Sequence, residues 1–100
     1  MRRAEYWVTI HAPSALGDVV ADCLLGMEVG GFTSFALSRH YIGQHHLSLA
    51  EQVLGRQRYI GMQISLDSDG VAALLNLLKS EFAGSGVEYW VTPIIQYGRV

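Results

Sequence analysis

Three of the four histidines in this chain of 100 residues fall within one short stretch, RHYIGQHHLSLAE, which runs from Arg39 to Glu51. Imidazole nitrogens and carboxylate oxygens bind borderline metals such as zinc, copper, nickel and cobalt. His40, His45, His46 and Glu51 are therefore the candidate metal ligands. In a regular strand His45 and His46 would point to opposite faces, so both could bind one ion only from a loop. The spacing is not a recognised metal signature, and a merely polar loop is the alternative.

The arginines supply a second candidate chemistry, because a guanidinium fork matches the oxygens of carboxylates and phosphates. Each arginine lies at or near the end of a predicted strand, whereas the single lysine, Lys79, lies in a predicted helix. We expect the two central strands to run parallel, which would gather all the arginines beside the histidines. The candidate anion-binding residues at that end are Arg39, Arg56, Arg58 and Arg99, with Arg2 and Arg3 nearby. The alternative is a solvated rim, or ion pairs with neighbouring subunits.

Catalytic machinery is not evident in the sequence. Cys23 falls in a helical apolar pattern, where a small buried thiol is the usual interpretation, and one cysteine cannot form an internal disulfide. His11 is expected at the end of the molecule opposite the other histidines, so we do not count it as a ligand. No nucleophile with a neighbouring base can be argued from the residue order. We therefore expect that the protein is not an enzyme, and a small hydrolase acting through the histidines is the weakest alternative.

Composition limits the partners. The formal net charge is -2, which gives no reason to expect nucleic-acid binding through phosphate neutralisation. No segment approaches the roughly 18 apolar residues of a membrane span, so direct membrane insertion is not expected. A cytoplasmic location fits a chain with one cysteine and no recognisable signal peptide.

The elements that must position these residues follow from hydrophobic periodicity. Alternation of period two predicts four strands, over residues 5–11, 32–41, 58–66 and 88–97. Apolar residues at helical spacing predict two longer helices, over about 16–24 and 71–82, and the motif Ser48-Leu49-Ala50-Glu51 predicts a short one over about 49–54. Pro93 inside the last strand indicates an edge position, because it cannot donate a ladder hydrogen bond.

The order strand, helix, strand, strand, helix, strand predicts an α+β fold of the ferredoxin-like βαββαβ type. A four-stranded antiparallel sheet would carry both helices on one face, in a single domain over 1–100 with an extended loop at about 41–57. The uncovered face would then hold Tyr59 together with tryptophans or tyrosines of the first and last strands. Since this is too much aromatic surface to leave in water, we expect a symmetric homo-oligomer.

The stretches GGFTSFALSRH, LSLAEQVLGRQR and YWVTPIIQYGRV, together with the element order, resemble the small PII-like proteins of unassigned function that are encoded beside heavy-metal efflux transporters. The resemblance covers nearly the whole chain. It implies a homotrimer whose sheets face the threefold axis, with ligand clefts between subunits. It also implies that the loop between strands two and three reports the bound ligand by docking on a partner, such as a membrane efflux transporter. The fold is also similar to that of the copper-tolerance protein CutA.

One departure from the PII pattern concerns nucleotides. The segment Gly84-Ser85-Gly86-Val87 lacks the glycine-rich, lysine-bearing loop that holds ATP phosphates in PII proteins. This places adenine nucleotide binding in doubt and leaves a divalent transition metal or a small anion as the candidate ligand. The leading hypothesis is thus a PII-like regulatory protein linked to metal efflux. The alternative is a ligand-independent interaction module whose loop contacts the partner through Leu47, Leu49, Val53 and Leu54.

Overall fold

The computed structural model describes residues 5–27, 30–40 and 56–100. The elements, in chain order, are β1 (Tyr6–Pro13), a short 3₁₀ helix (Ser14–Leu16), α1 (Gly17–Leu25), β2 (Thr33–His40), β3 (Arg56–Leu66), α2 (Ser68–Phe82) and β4 (Glu88–Pro93). The strands form a four-stranded sheet in the order β2-β3-β1-β4. This is the predicted α+β, ferredoxin-like arrangement, and β4 is an edge strand as expected, although it ends at Pro93 and not at residue 97.

The strand directions correct one expectation. The central strands β1 and β3 are antiparallel, with Tyr6 beside Leu66 and Pro13 beside Tyr59. Since β2 and β4 are also antiparallel to their neighbours, β1 and β2 finish where β3 and β4 begin. We call this the His40 end of the sheet, and we call the opposite end, where β1 begins, the Tyr6 end. The expectation of parallel central strands was wrong. Helix α1 returns the chain, so that β2 runs in the same direction as β1. Since β3 is antiparallel to β2, it is also antiparallel to β1.

Alternation along the central strands builds the core under the helices. Val8 and Ile10 of β1 and Met62 and Ile64 of β3 are at most 1% exposed. Helix α1 adds Val20 and Leu24, and α2 adds Leu74, Leu78 and Phe82. Burying each aliphatic side chain of this size contributes roughly 1.5–3 kcal/mol relative to exposure. Val19, although apolar and at helical spacing in α1, is 51% exposed and does not join this core.

Helix α2 begins with a side-chain cap. The Asp67 carboxylate oxygen Oδ1 accepts a hydrogen bond of 2.7 Å from the backbone N–H of Gly70. This satisfies one of the N–H groups that a helix start leaves without an intrahelical partner. An aspartate directly before the first helical residue is a typical N-cap, and Asp67 occupies that position here.

The opposite side of the sheet, which we call the open face, carries the other alternating set. Register and alternation place on it Trp7, Thr9, His11, Phe35, Leu37, Arg39, Tyr59, Gln63, Glu88 and Trp90. Trp90 is 44% and Phe35 is 37% exposed, although Tyr59 is buried. An aromatic open face was predicted, and the strand alternation confirms it.

Candidate functional site

Three arginines lie in the strand ends that meet at the His40 end. Arg39 and His40 are the last residues of β2, and Arg56 and Arg58 lie at the beginning of β3. The register pairs His40 with Arg56, and Ser38 with Arg58. The β2–β3 pair thus places three of the four predicted anion-binding arginines at one end of the sheet, but the alternation puts Arg39 on the open face and Arg58 on the helix-covered face.

Arg99 does not join them, and its predicted position was wrong. Strand β4 runs away from the His40 end and finishes with Pro93 beside Tyr6. The backbone N–H of Ile94 then donates to the carbonyl of Glu5. Arg99 follows in the exposed C-terminal segment, where its Nε donates to the hydroxyl of Tyr97 at 3.4 Å and this bond raises the pKa of Arg99. Antiparallel pairing therefore places Arg39 and Arg99 on different parts of the molecule.

Several predicted residues lie outside the described residues. These are the metal candidates His45, His46 and Glu51, the partner-binding candidates Leu47, Leu49, Val53 and Leu54, and also Arg2 and Arg3. Of the four metal candidates, the structure places only His40, which is exposed at the end of β2. Within 5–27, 30–40 and 56–100, no three histidine, cysteine or acidic side chains are grouped closely enough to hold a metal ion.

The central interaction of the site joins Arg39 to Glu88. The Arg39 guanidinium donates through Nη2 to Oε2 of Glu88 at 3.1 Å, and Nη1 contacts the second carboxylate oxygen, Oε1. The guanidinium carbon also lies 5.9 Å from the centre of the Tyr59 ring. The two charged side chains are 32% and 40% exposed, so solvent reaches the pair. The arrangement is a two-pronged guanidinium–carboxylate contact of the kind that recognises oxyanions.

Sequence analysis did not identify Glu88 as a partner of Arg39. The strand direction could have revealed the position of Glu88, because an edge strand antiparallel to β1 must begin beside the end of β1. The structure shows this directly, with Glu88 paired to His11 across the β1–β4 ladder.

His11 also lies at the His40 end, contrary to expectation. Its ring centre is 4.6 Å from that of Trp90, with the ring planes tilted by 58°. Its buried Nδ1 atom has no hydrogen-bond partner among the described residues. Burial lowers the pKa of His11, the nearby positive charge of Arg39 lowers it further, and the Glu88 carboxylate opposes the shift. His11 therefore favours the neutral form while Arg39 lies close by.

A hydrogen bond from Tyr59 holds the turn that precedes β4 at the His40 end. The hydroxyl of Tyr59 donates to the carbonyl of Gly86 at 3.3 Å. Gly86 has a φ of 92°, which side chains other than glycine rarely adopt, and a Cβ there would lie 3.3 Å from Pro13. This contact sets the point at which the chain enters β4 and hence the position of Glu88.

The cysteine shows no sign of activation. Cys23 packs against the core, and burial, followed by the negative charges of Glu81 and Asp22, raises its pKa. A raised pKa reduces the thiolate fraction, and the thiolate is the reactive form.

Comparison with known proteins places the chain in a family. A family model described as "Protein of unknown function (DUF3240)" matches residues 4–100. No curated protein matches the chain. Neither helix of the described residues is long and apolar enough to cross a lipid bilayer.

Solved structures share the fold. A DUF3240 family protein from Shewanella baltica OS155 is 21% identical, with a TM-score of 0.76 and coverage of 99% of each chain. CPII, a nitrogen regulatory PII-like protein from Thiomonas intermedia K12 bound to ADP, AMP and bicarbonate, is 22% identical, with a TM-score of 0.73 and coverage of 98% of this chain and 97% of that one.

A third similar structure has a different described role. The periplasmic divalent cation tolerance protein CutA from Archaeoglobus fulgidus is 14% identical, with a TM-score of 0.69 and coverage of 95% of this chain and 88% of that one. At these identities the likeness concerns the fold, which is that of the PII-like and CutA proteins. The family model spans almost the whole sequence, and on that match the chain belongs to the DUF3240 family.

Proposed function

We propose that this protein is a PII-like regulatory protein that binds a small anion at the His40 end and passes the bound state to a partner protein. The observation that carries the proposal is the two-pronged contact of Arg39 with the Glu88 carboxylate. A guanidinium held in this geometry on the open face, and reached by solvent, presents N–H donors that match the oxygens of a carboxylate, phosphate or sulfate. The protein acts in the cytoplasm and is not an enzyme.

The proposed assembly is a homotrimer built on the open face. Trp90 and Phe35 are exposed there, with Trp7 and Leu37 partly exposed on the same face. A contiguous apolar surface of this kind marks an interaction site on a soluble protein. Packing of three sheets around a common axis would cover the apolar part of this face and place the His40 ends, with the Arg39 site, at clefts between neighbouring subunits.

The proposed link to metal efflux depends on the histidines of the connecting segment. His40 is exposed at the point where β2 leaves the sheet, and His45, His46 and Glu51 follow it in the sequence. Imidazole ligands suit zinc, copper, nickel and cobalt. The CutA structure supports the connection only through its fold and its description as a divalent cation tolerance protein. The partner would be a membrane efflux transporter, contacted by the segment between β2 and β3.

Calorimetric titration separates these possibilities. Wild type is titrated with sulfate and, separately, with zinc and copper ions. Arg39→Gln should remove the sulfate signal, and a His45→Ala/His46→Ala variant should remove the metal signal while keeping the sulfate signal. Equal metal heats in wild type and the histidine variant would remove the metal site from the proposal.

A thermal scan addresses the remaining alternative. Any ligand that binds only the folded state raises the melting temperature by mass action. If neither metals nor anions shift that temperature, ligand sensing is wrong. Ligand-independent docking through Leu47, Leu49, Val53 and Leu54 then becomes the better interpretation.

A further inference from the structure

The Arg39–Glu88 contact places a negatively charged side chain where an external anion would bind. Arg39 belongs to β2 and Glu88 to β4, the two edge strands of the sheet. Both oxygens of the carboxylate face the guanidinium nitrogens. A phosphate or carboxylate ligand would need the same nitrogens, so the ligand and Glu88 compete for one position.

His11 lies where a displaced Glu88 side chain could move. The two residues are direct partners on neighbouring antiparallel strands and lie on the same face. Side chains at such positions are neighbours, with Cβ atoms about 4.5–5.5 Å apart. The Nδ1 atom of His11 is buried and has no hydrogen-bond partner among the described residues, so it can take a proton and donate it to a carboxylate.

We propose that Glu88 acts as an internal anion that occupies the Arg39 site, that a sulfate-, phosphate- or carboxylate-bearing ligand binds by displacing it, and that His11 takes up a proton to pair with the displaced carboxylate. The inference rests on the proposed function, because it assumes that the Arg39 site binds an anion. It adds the regulation of that site, namely competition by Glu88 and coupling to pH.

The charges around His11 give the coupling its direction. The charged groups that face His11 are Arg39 from β2 and Glu88 from β4, whereas β3 presents Gly61 opposite it and the Tyr59 phenol nearby. The helices pack on the other face of the sheet. A bound anion would neutralise Arg39 and release Glu88 toward His11, and both changes favour imidazolium. Binding would therefore take up a proton, and by linkage it must become tighter as the pH falls.

The test uses sulfate, which stays fully ionised between pH 6 and 8, and three purified full-length variants. Glu88→Gln removes the competing charge with little change of shape. Glu81→Gln, on the exposed side of α2, is the matched control for the change in net charge. His11→Gln removes the titrating group. Melting temperatures measured for each variant without sulfate show whether it is folded.

Four results are expected. At pH 8 Glu88→Gln binds sulfate more tightly than wild type, whereas Glu81→Gln matches wild type. Wild type binds up to about tenfold more tightly at pH 6 than at pH 8, as a pKa rise of one unit would give. His11→Gln reduces this ratio. In an NMR titration of the His11 imidazole, assigned with the same variant, sulfate moves the midpoint to higher pH.

The failures can be told apart. If wild type binds sulfate but Glu88→Gln binds no more tightly, or if sulfate leaves the His11 midpoint in place, the internal-anion mechanism is wrong and the anion site stands. If neither wild type nor folded Glu88→Gln binds sulfate, the anion site of the proposed function is itself wrong.

Discussion

Arg39 and Glu88 stand on opposite edge strands of the sheet, yet their side chains meet above the two central strands. The contact crosses the open face over the ring of Tyr59 and beside His11. It ties together segments 49 residues apart in the sequence. The ion pair therefore links the outgoing end of β2 to the start of β4 at the end of the molecule where a ligand is proposed to bind.

The stability of this ion pair can be measured with a double-mutant cycle. Arg39→Gln, Glu88→Gln and the double variant are compared with wild type by urea unfolding. Because about a third of each side chain is exposed, we expect a coupling energy of about 0.2–1 kcal/mol. High salt should reduce it. A coupling energy of zero at low salt would mean that the two charges do not stabilise each other in solution.

Protonation of His11 should make stability depend on pH. The folded state lowers the pKa of His11, mainly through burial, so the unfolded chain binds more protons between that pKa and the usual value of about 6.5. This contribution to stability is present above pH 6.5 and is lost as the pH falls through the folded pKa. Urea unfolding between pH 8 and 5 measures it.

The control for the pH dependence is His11→Gln, because the other histidines titrate in the same range. The variant should lose less stability than wild type on acidification. Identical losses in the two proteins would assign the pH dependence to other groups.

The close packing of Phe35 on Gly61 predicts that an added methyl group is harmful. A Cβ at Gly61 would overlap the edge of the Phe35 ring and lie 2.9 Å from Cδ2 of Leu37. We expect Gly61→Ala to lower the free energy of unfolding by roughly 1–3 kcal/mol through overpacking. Thermal or urea denaturation measures the loss. Combining it with Phe35→Leu should recover part of the stability, whereas strictly additive losses would contradict direct contact between the two residues.

The open face should control assembly. Trp90→Glu introduces a charge into the exposed apolar surface, and we expect it to convert the proposed trimer to monomers. Light scattering coupled to size-exclusion chromatography measures the mass. Val19→Glu is the matched control, because Val19 is 51% exposed on the helical side. A trimer that survives Trp90→Glu, or that dissociates equally with Val19→Glu, would count against assembly through the open face.

The cap of α2 gives a local stability prediction. Asp67→Ala removes the acceptor for the Gly70 N–H, and we expect a loss of about 0.5–2 kcal/mol in the free energy of unfolding. Asp67→Ser keeps a short side-chain oxygen at the same position and should retain most of the stability. Chemical denaturation followed by circular dichroism compares the three proteins. Equal losses in the two variants would show that capping is not what Asp67 contributes.

Local patterns in the sequence determined the elements and their faces. Alternation separated Val8 and Ile10, which are buried, from Trp7 and His11 on the open face. Helical spacing predicted the second long helix over about 71–82, and the structure buries Leu74, Leu78 and Phe82 on one side of it. These features depend on residues close together in the chain, whose periodicity is visible in one sequence. The order of elements then limited the fold to the ferredoxin-like type.

Only the tertiary structure decided which ends meet. Strand direction and register decide which residues lie beside Arg39, and they pair residues that are far apart in the sequence. They exclude Arg99 from this position and place Glu88 and His11 there. Periodicity carries no information about those distant pairings, and an error in one strand direction led to wrong expected positions for both Arg99 and His11. The antiparallel pairing of β1 with β3 and β4 instead brought His11 and Glu88 to Arg39.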